Sequence, residues 1–373
     1  MSTKVRTDNI DLSGNTGALE IPTGTTSQRP GLISVDFLVV AGAGGGGGSY
    51  RGGGGGAGGL RTSYGSTSGG GASAESPSIV NIGSQYTVTV GEGGTGGVYN
   101  AASSTNGDDS IFNNITSVGG GGGSNYGSSA GSLGGSGGGS AGYTGAVGAA
   151  GAGTINQGFA GGQGISSSSV QCGGGGGGAG VAGNNGGSGA TDGDGGNGIN
   201  SLILPYTEAG TASVGEQISG TEVWYAGGGG AGAYSSGNVT IPGKGGGGSA
   251  NHGINNGDPG TDNTGGGGGG ASGESPPTNG VGGDGGSGVV ILRYSSDFGL
   301  NKTGTLTEST GSPFTITDSE TNDTKVSVFI SGTGTVEFTG GTAAVEGILR
   351  ENTTTGKMEI YTGITGWRAL QQT

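Results

Sequence analysis

The chain has 373 residues, and 105 of them are glycine, which makes up only about 7% of an average protein. Apolar residues amount to 28%, aromatic residues to 5% and charged residues to 10%, which is too little apolar surface for an ordinary core and too little charge for a typical disordered chain. The formal net charge of −14 with only 12 basic residues excludes nucleic acid and anionic membrane surfaces as expected partners, because phosphate binding needs clustered lysine and arginine.

Other protein classes are excluded by the order of the residues. Glycine runs such as residues 173–178 break the strict Gly-X-Y period of collagen. The longest apolar stretch, residues 37–41, is far shorter than the roughly 20 residues that a membrane span needs. Polar residues follow the N terminus, so no secretory signal is expected, and the single Cys172 excludes an intrachain disulfide.

Strand-forming segments stand at both ends of the glycine-rich region. Residues 33–40 are rich in β-branched side chains and lead into the first glycine run. Residues 79–82 and 86–90 predict a hairpin or a kinked strand pair, and residues 289–294 close the region. We therefore predict one glycine-rich domain over residues 34–295, with these strands paired at its base.

Glycine runs recur inside this domain, separated by turn residues, Asn, Ser, Thr and single aromatic residues; the runs cover residues 44–48, 52–56, 119–123, 173–178, 227–230, 245–248 and 265–270. Composition alone would also fit a flexible linker. Glycine can, however, form an extended left-handed helix with about three residues per turn, whose backbone groups point outward. Such helices can bond one another laterally because no Cβ separates them, so the expected fold is mostly irregular or all-β, with a polyglycine-II sandwich.

The composition changes after residue 295. Residues 314–317, 325–330 and 335–338 alternate with a period of two, which predicts a short antiparallel β segment over residues 296–340. Residues 357–361 and 367–370 predict a terminal hairpin with Trp367 in its core. The pattern predicts no helix anywhere.

Four ordered landmarks carry a resemblance to a known family: VDFLVVAGA at residues 35–43, GGGGAGGLRT at 53–62, YTVTVG at 86–91 and GGSGVVILRY at 285–294. Together they resemble the glycine-rich domain of marine bacteriophage tail-fibre and adhesin proteins. The resemblance implies a virion protein, made in the host cytoplasm, whose loops touch a host receptor, either a saccharide or an outer-membrane protein. It also implies contacts with other virion proteins and, by analogy with such fibres, a homotrimer.

A second resemblance involves the two termini. Residues 8–17 and 21–30 look like the start of a short module common in phage structural proteins, and residues 347–361 and 366–368 look like its end. This resemblance implies that residues 1–33 and 341–373 form one split, virion-proximal β module into which the remainder is inserted. Two unrelated terminal segments are the alternative.

The sequence contains few groups for chemistry. His252 and Cys172 are the only residues of their types, which leaves almost nothing for a His-based triad or a zinc site. No acidic pair has a recognisable glycosidase setting. We predict no catalytic residue, no cofactor and no metal, although Asp192 and Asp194 have a spacing faintly like that of a calcium loop and leave that ion open.

The longest glycine-poor stretch of the domain, residues 199–226, supplies the candidate receptor contacts Tyr206, Trp224 and Tyr225. Aromatic side chains on loops offer large contact area with few rotatable bonds. Alternatively, Trp224 and Tyr225 cover the flank of the glycine domain as an apolar cap.

We therefore expect a phage virion structural protein, a tail fibre or receptor-binding adhesin, that attaches to the host through loops and is not an enzyme. The alternative is an extracellular filament or coat protein built on the same glycine scaffold. A polysaccharide depolymerase and an ice-binding protein are further alternatives, which would release sugar or need a regular Thr-rich plane.

Overall fold

The computed structural model describes residues 31–48, 50–98, 103–125, 127, 130–142, 148–165, 172–187, 192–233, 240–250, 256–273, 280–317 and 323–340, and the strands Leu349–Asn352, Lys357–Tyr361 and Trp367–Ala369. This part of the chain is mostly β, with a single short α-helix. The predicted start of the terminal module, residues 1–30, lies outside it, so the expected contact between residues 21–30 and 346–370 is not tested.

One sheet of eleven strands forms the base. Its strands are β1 (Leu32–Val40), β2 (Leu60–Thr62), β3 (Ser78–Asn81), β4 (Gln85–Val90), β5 (Ser110–Phe112), β6 (Ile115–Ser117), β10 (Val289–Ser295), β11 (Gly299–Lys302), β12 (Thr307–Glu308), β13 (Phe314–Ile316) and β14 (Thr324–Thr339). The main path runs β2-β1-β10-β14-β4-β5-β6, while β3 pairs with β1, and β11, β12 and β13 pair with β14. The strands predicted at both ends of the glycine region meet here: β1 and β10 are antiparallel, with Phe37 opposite Leu292.

Strand β14 connects the glycine-rich region to the residues after it. Its first half pairs with β10, where Phe329 lies opposite Val290, and its second half pairs with β4, where Gly332 lies opposite Val90. The segments predicted separately at residues 325–330 and 335–338 are thus one 16-residue strand. The domain boundary predicted at residue 295 therefore runs through a continuous sheet.

The sheet has apolar cores on two sides because side chains alternate along each strand. Phe37 and Val39 of β1 lie in one core, here called the inner core, that also contains Phe112 and Phe338. The neighbouring residues of β1 lie in an outer core on the opposite face; that core contains Leu38, Val40, Leu60, Ile203, Leu204, Ala209, Tyr225, Val289, Ile291, Val326 and Val328. Both faces of β1 are therefore covered.

The helix α1 (Tyr206–Ala212) corrects the expectation that no helix forms. Pro205 precedes it, and the Ala209 N–H donates to the Pro205 carbonyl oxygen at 2.9 Å. Its sequence, YTEAGTA, contains weak helix formers, which is why the pattern did not predict it. Ala209 and Ala212 are buried in the outer core, so tertiary packing stabilises the helix.

The glycine runs form extended segments, here called rods, that are hydrogen-bonded sideways rather than paired as strands. Three consecutive N–H groups of rod 41–48 donate to three different segments, at 2.8–3.1 Å: Gly44 to Gly56, Gly45 to Thr105 and Gly46 to Gly283. The next residue, Gly47, returns to the first segment and donates to Gly53 at 2.8 Å. The direction of the hydrogen bonds therefore repeats every three residues.

Rod 52–59 lies at the centre of the arrangement. Six rods surround it: 41–48, 118–125, 134–142, 172–180, 226–233 and 265–273. It donates to three of them, through Gly53, Gly54 and Gly55, and accepts from the other three. Each neighbour is also bonded to the next around the ring, through donors at Gly120, Gly121, Gly177, Gly176, Gly267 and Gly268. The interior of this arrangement of rods is consequently backbone rather than hydrocarbon.

The close approach of the rods requires glycine. A Cβ added to Gly54 would lie 2.0 Å from the carbonyl oxygen of Gly229, and one added to Gly44 would lie 2.2 Å from that of Gly121. Ordinary van der Waals contact begins at 3.4 Å. Any larger residue would have to push two rods apart.

Two small sheets complete the described structure. Strands β7 (Ile199–Asn200), β8 (Glu216–Ile218) and β9 (Glu222–Tyr225) form one, in the order β7-β9-β8. Strands β15 (Leu349–Asn352), β16 (Lys357–Tyr361) and β17 (Trp367–Ala369) form the other, and β16 pairs antiparallel with β17 where the terminal hairpin was predicted. The side chain of Trp367 lies outside the described residues.

Candidate functional site

The structure separates the three predicted receptor contacts. Tyr225 is fully buried in the outer core, so the expectation that it contacts a receptor is corrected: its ring packs between the rods and the sheet. Burial also raises the pKa of its phenol above the ordinary value. Trp224 is half-buried on the opposite face of β9, and Tyr206 is half-buried at the start of α1, packed against the outer core.

Trp224 takes part in a local polar cluster. Its indole N–H donates to the Glu222 carboxylate at 2.9 Å, and the Lys244 ammonium lies 4.9 Å from the ring centroid. Lys244 also lies 3.9 Å from the Glu222 carboxylate. The cation occupies one face of the ring, as expected for a cation–π contact within a surface cluster.

The whole segment 199–226 lies at the basal end of the rods, next to the sheet. Rod 192–198 leads into it and rod 226–233 leaves it, and Ile203, Leu204 and Val223 pack into the outer core. This position agrees with the alternative of an apolar cap. The segment is poor in glycine, with only Gly210, Gly215 and Gly220, and its larger side chains cover one face of the sheet.

The opposite end, here called the outer end, is where the central rods turn. Arg51 forms a bridge with Ser272, and its carbonyl oxygen accepts the Gly142 N–H at 3.0 Å. Cys172 forms a bridge with Ala233, whose N–H donates to the Ser272 hydroxyl oxygen at 3.3 Å. Five rods therefore converge at this end. The segments that continue from their ends, such as residues 143–147, 234–239 and 274–279, lie outside the described residues.

Side-chain oxygens close the flanks of the rod arrangement by accepting N–H groups that have no neighbouring carbonyl. The donor and acceptor pairs are Gly48–Asn125, Gly96–Asp284, Gly119–Asp109, Gly122–Asn106, Gln163–Asn185, Ile241–Asp194, Lys244–Asn197 and Ser287–Asp262, at 2.6–3.1 Å. Many of the acidic and amide residues therefore have a structural role. Burial raises the pKa of Asp194, and the nearby Asp192 charge adds to the effect.

Of the residues considered for chemistry, His252 lies outside the described residues, and the structure describes Cys172, Asp192 and Asp194. Cys172 is buried, and burial raises the pKa of its thiol to about 12, which suppresses the reactive thiolate. Among the described residues, which include Asp192 and Asp194, no group of three or more His, Cys, Asp or Glu side chains could hold a metal ion. In the described part of the chain, no helix has the length and apolar character needed to span a membrane.

Taken together, the rods and their backbone interior define a glycine-rich protein of mostly β structure. A family model described as a glycine-rich domain matches residues 20–295, which is more than half of the chain. The chain therefore belongs to this glycine-rich domain family. Comparisons with curated proteins and with solved structures each give no match.

Proposed function

We propose that the protein is a phage virion protein, a tail fibre or receptor-binding adhesin, that attaches to the host surface through the segments joining its rods at the outer end. One observation carries the proposal: the central rods converge at Arg51, Gly142, Ser272 and Ala233, at the end opposite the β-sheet. Binding residues are often found on loops positioned by a rigid scaffold. The receptor would be a saccharide or an outer-membrane protein of the host.

We also propose that the rods are polyglycine-II helices packed as a sandwich. The three-residue repeat of hydrogen-bond directions and the six neighbours of rod 52–59 support this assignment. Pleated strands repeat every two residues and have only two bonded neighbours. A high-resolution structure tests the assignment, since a twofold repeat along the rods would contradict it.

The β-sheet end would face the virion, with the two termini forming one split module there. Two hydrogen bonds from consecutive residues of the turn between β3 and β4 support an insertion. The Ile82 N–H donates to the Gly31 carbonyl oxygen at 3.0 Å, and the Gly83 N–H donates to that of Phe338 at 2.9 Å. Gly31 and Phe338, which lie near the two ends of the segment 31–340, are thus close together, as the ends of inserted domains are. Residues 31–340 expressed alone should unfold cooperatively; a non-cooperative transition would contradict the insertion.

The closed flanks favour an adhesin over a filament or coat protein. An open edge of unpaired backbone groups is a template for lateral association, and proteins commonly block such edges. Here, side chains such as Asn106, Asp109, Asn197 and Asp284 occupy that role. Sedimentation of the purified protein tests the choice. A discrete species, including the homotrimer usual for such fibres, supports the adhesin, and concentration-dependent filaments would support the alternative.

Attachment is tested with purified protein and a panel of marine bacteria. Residues 143–147, 234–239 and 274–279 are replaced together by Gly/Ser segments of equal length, and cell binding is measured by flow cytometry. We expect binding to fall at least tenfold while the unfolding midpoint stays unchanged. The matched control carries Ser219→Asn and Thr221→Ser in the exposed β8–β9 turn at the basal end, and it should bind like the wild type.

If the variant with replaced segments binds cells as well as the wild type does, attachment through these segments is wrong. Loss of binding only in the control would instead assign attachment to the basal end.

A further inference from the structure

Two neighbouring clefts lie on one flank, where the basal ends of the rods meet the edge of the sheet. The first has a volume of about 420 Å³, and its lining includes Arg61, Ser73, Glu75 and Asn156. The second has a volume of about 290 Å³ and is lined by Asn106, Val118, Leu133, Gly134, Ala152, Gly153 and Thr154. Residues of the turn 154–157 line both clefts, so the two lie side by side along this flank.

An ion pair forms one wall of the first cleft. The Arg61 guanidinium donates to both carboxylate oxygens of Glu75, at 2.8 and 2.6 Å. The two side chains are 26% and 31% exposed, so each retains part of its surface toward solvent and the cleft. Ser73 and Asn156 are exposed beside them. The cleft therefore offers hydrogen-bond donors and acceptors with no net charge.

Gln157 fixes the wall between the two clefts. Its side-chain oxygen accepts the Val118 N–H at 2.8 Å, and its side-chain nitrogen donates to the Thr116 carbonyl oxygen at 3.3 Å. These bonds hold the turn against β6 and the start of rod 118–125. The two clefts thus have a defined spacing.

Each cleft also has an exposed apolar side chain beside its polar groups. Ile155 is 85% exposed at the first cleft, and Leu133 is 69% exposed at the second. In each cleft an apolar surface therefore stands directly beside polar groups. A hydroxyl group both donates and accepts hydrogen bonds, which matches this mixture, while sugar-ring C–H groups match the two apolar side chains.

We propose that the two clefts are subsites for consecutive units of an uncharged glycan chain. The neutral Arg61–Glu75 pair favours hydroxyl groups over a charged ligand, and the net charge of −14 disfavours polyanionic chains. This site lies on the flank rather than at the outer end. It is therefore independent of whether the outer segments bind a receptor.

The test uses the full chain and soluble oligosaccharides of one to six hexose units, built from glucose, galactose, mannose or N-acetylglucosamine, with polygalacturonate as the acidic comparison. Binding is measured by calorimetry and by chemical-shift changes at Ile155. We expect at least one neutral series to bind, with affinity rising from monosaccharide to short oligosaccharide and then reaching a plateau once both clefts are filled.

Three variants locate the site. Glu75→Gln should weaken binding about tenfold, as expected for loss of a charge-assisted hydrogen bond. Asn156→Gly retains the left-handed backbone, since φ of Asn156 is 61°, and Ile155→Ser alters only an exposed side chain; both should weaken binding and leave the unfolding midpoint unchanged. Glu222→Gln is the matched control, because Glu222 is 37% exposed in an ion pair elsewhere.

The proposal is wrong if no neutral series binds at millimolar concentration, if only polygalacturonate binds, or if Glu222→Gln weakens binding as much as the cleft variants do. If Glu75→Gln fails to fold, the other two variants decide. Cell binding through the outer segments is measured separately, so either proposal can fail alone.

Discussion

Replacing Gly54 by alanine tests whether backbone packing holds the rods together. Gly54 lies in the central rod, and an added Cβ would be 2.0 Å from the Gly229 carbonyl oxygen and 2.7 Å from the Gly176 nitrogen. Since ordinary contact begins at 3.4 Å, the Gly229 carbonyl would have to retreat by about 1.4 Å. A shift of that size exceeds what the hydrogen bonds between these rods can tolerate.

The magnitude follows from the bonds that would break. Rod 226–233 donates to rod 52–59 through Gly229 and Gly232, at 2.9 and 2.8 Å. A buried backbone group without a partner costs about 1–3 kcal/mol, so losing both bonds destabilises by about 2–6 kcal/mol. The lower entropy of the unfolded alanine chain offsets about 0.4–1 kcal/mol. We expect Gly54→Ala to lower the free energy of unfolding by about 1–5.5 kcal/mol.

Denaturant unfolding followed by tryptophan fluorescence measures the effect. Gly210→Ala is the control, because Gly210 is exposed in α1 and the atoms nearest to an added Cβ, at 2.8 Å, belong to the end of the flexible Gln217 side chain, which can move aside. Alanine favours helix there, so this variant should be stabilised by about 0.5–1 kcal/mol. If Gly54→Ala were as stable as Gly210→Ala, the backbone-packing account of the rods would be refuted.

Three further predictions concern buried groups. Because the pKa of Asp194 is raised in the folded state, folding favours the protonated carboxyl group. The contribution of this group to the free energy of unfolding is therefore fully present below the unfolded pKa, and it is lost as the pH rises through the folded pKa. Asp194→Asn, which keeps an acceptor for the Ile241 N–H, should stabilise the protein at neutral pH but not at low pH; an equal effect at both would contradict this. Tyr225→Phe should leave the free energy of unfolding nearly unchanged, and Tyr225→Ala should lower it by about 3–5 kcal/mol because the ring is buried. If the side chain were exposed, both substitutions would leave it nearly unchanged. The thiol of Cys172, with its pKa of about 12, should react with iodoacetamide at pH 8 only after denaturant is added, and rapid reaction of the native protein would contradict its burial.

The strands beside the glycine region could be predicted from sequence because their apolar runs are continuous. Residues 33–40, 86–90 and 289–294 correspond to β1, β4 and β10, whose bounds differ from the predictions by one residue or less. The continuity of β14 could not be predicted, because Gly332 and Gly334 resemble a turn. In the structure these glycines allow close approach instead: a Cβ would lie 2.2 Å from the Thr305 oxygen and 2.0 Å from the Thr303 oxygen, respectively.

The sequence left two interpretations of segment 199–226 open, receptor contact and an apolar cap, and the structure corrects the contact proposed for Tyr225. That interpretation did not consider that the sheet has a second face, which also has to be covered. The alternation of Glu222, Val223, Trp224 and Tyr225 contained the missing signal, since a period of two places Val223 and Tyr225 on one face. The sideways partners of each rod could not be predicted at all, because glycine runs carry no side chains to distinguish one neighbour from another.

Because every central rod shares its bonds with several others, substitutions in adjacent rods should not be additive. A Cβ on Gly176 would lie 1.9 Å from the Gly55 oxygen, beside the contact that Gly54→Ala already opens. Once the first alanine has separated the rods, the second meets less resistance. The double variant should therefore be less destabilised than the sum of the single ones by about 0.5–3 kcal/mol.

The control pair combines Gly54→Ala with Gly334→Ala in β14, where the added Cβ meets Thr303 and shares no contact with the rods. Separate sites of this kind usually add within about 0.5 kcal/mol. Double-mutant cycles from denaturant unfolding measure both pairs. Additivity in the first pair would mean that each rod is held independently of its neighbours, and the ring of six hydrogen-bonded rods would then not act as one cooperative unit.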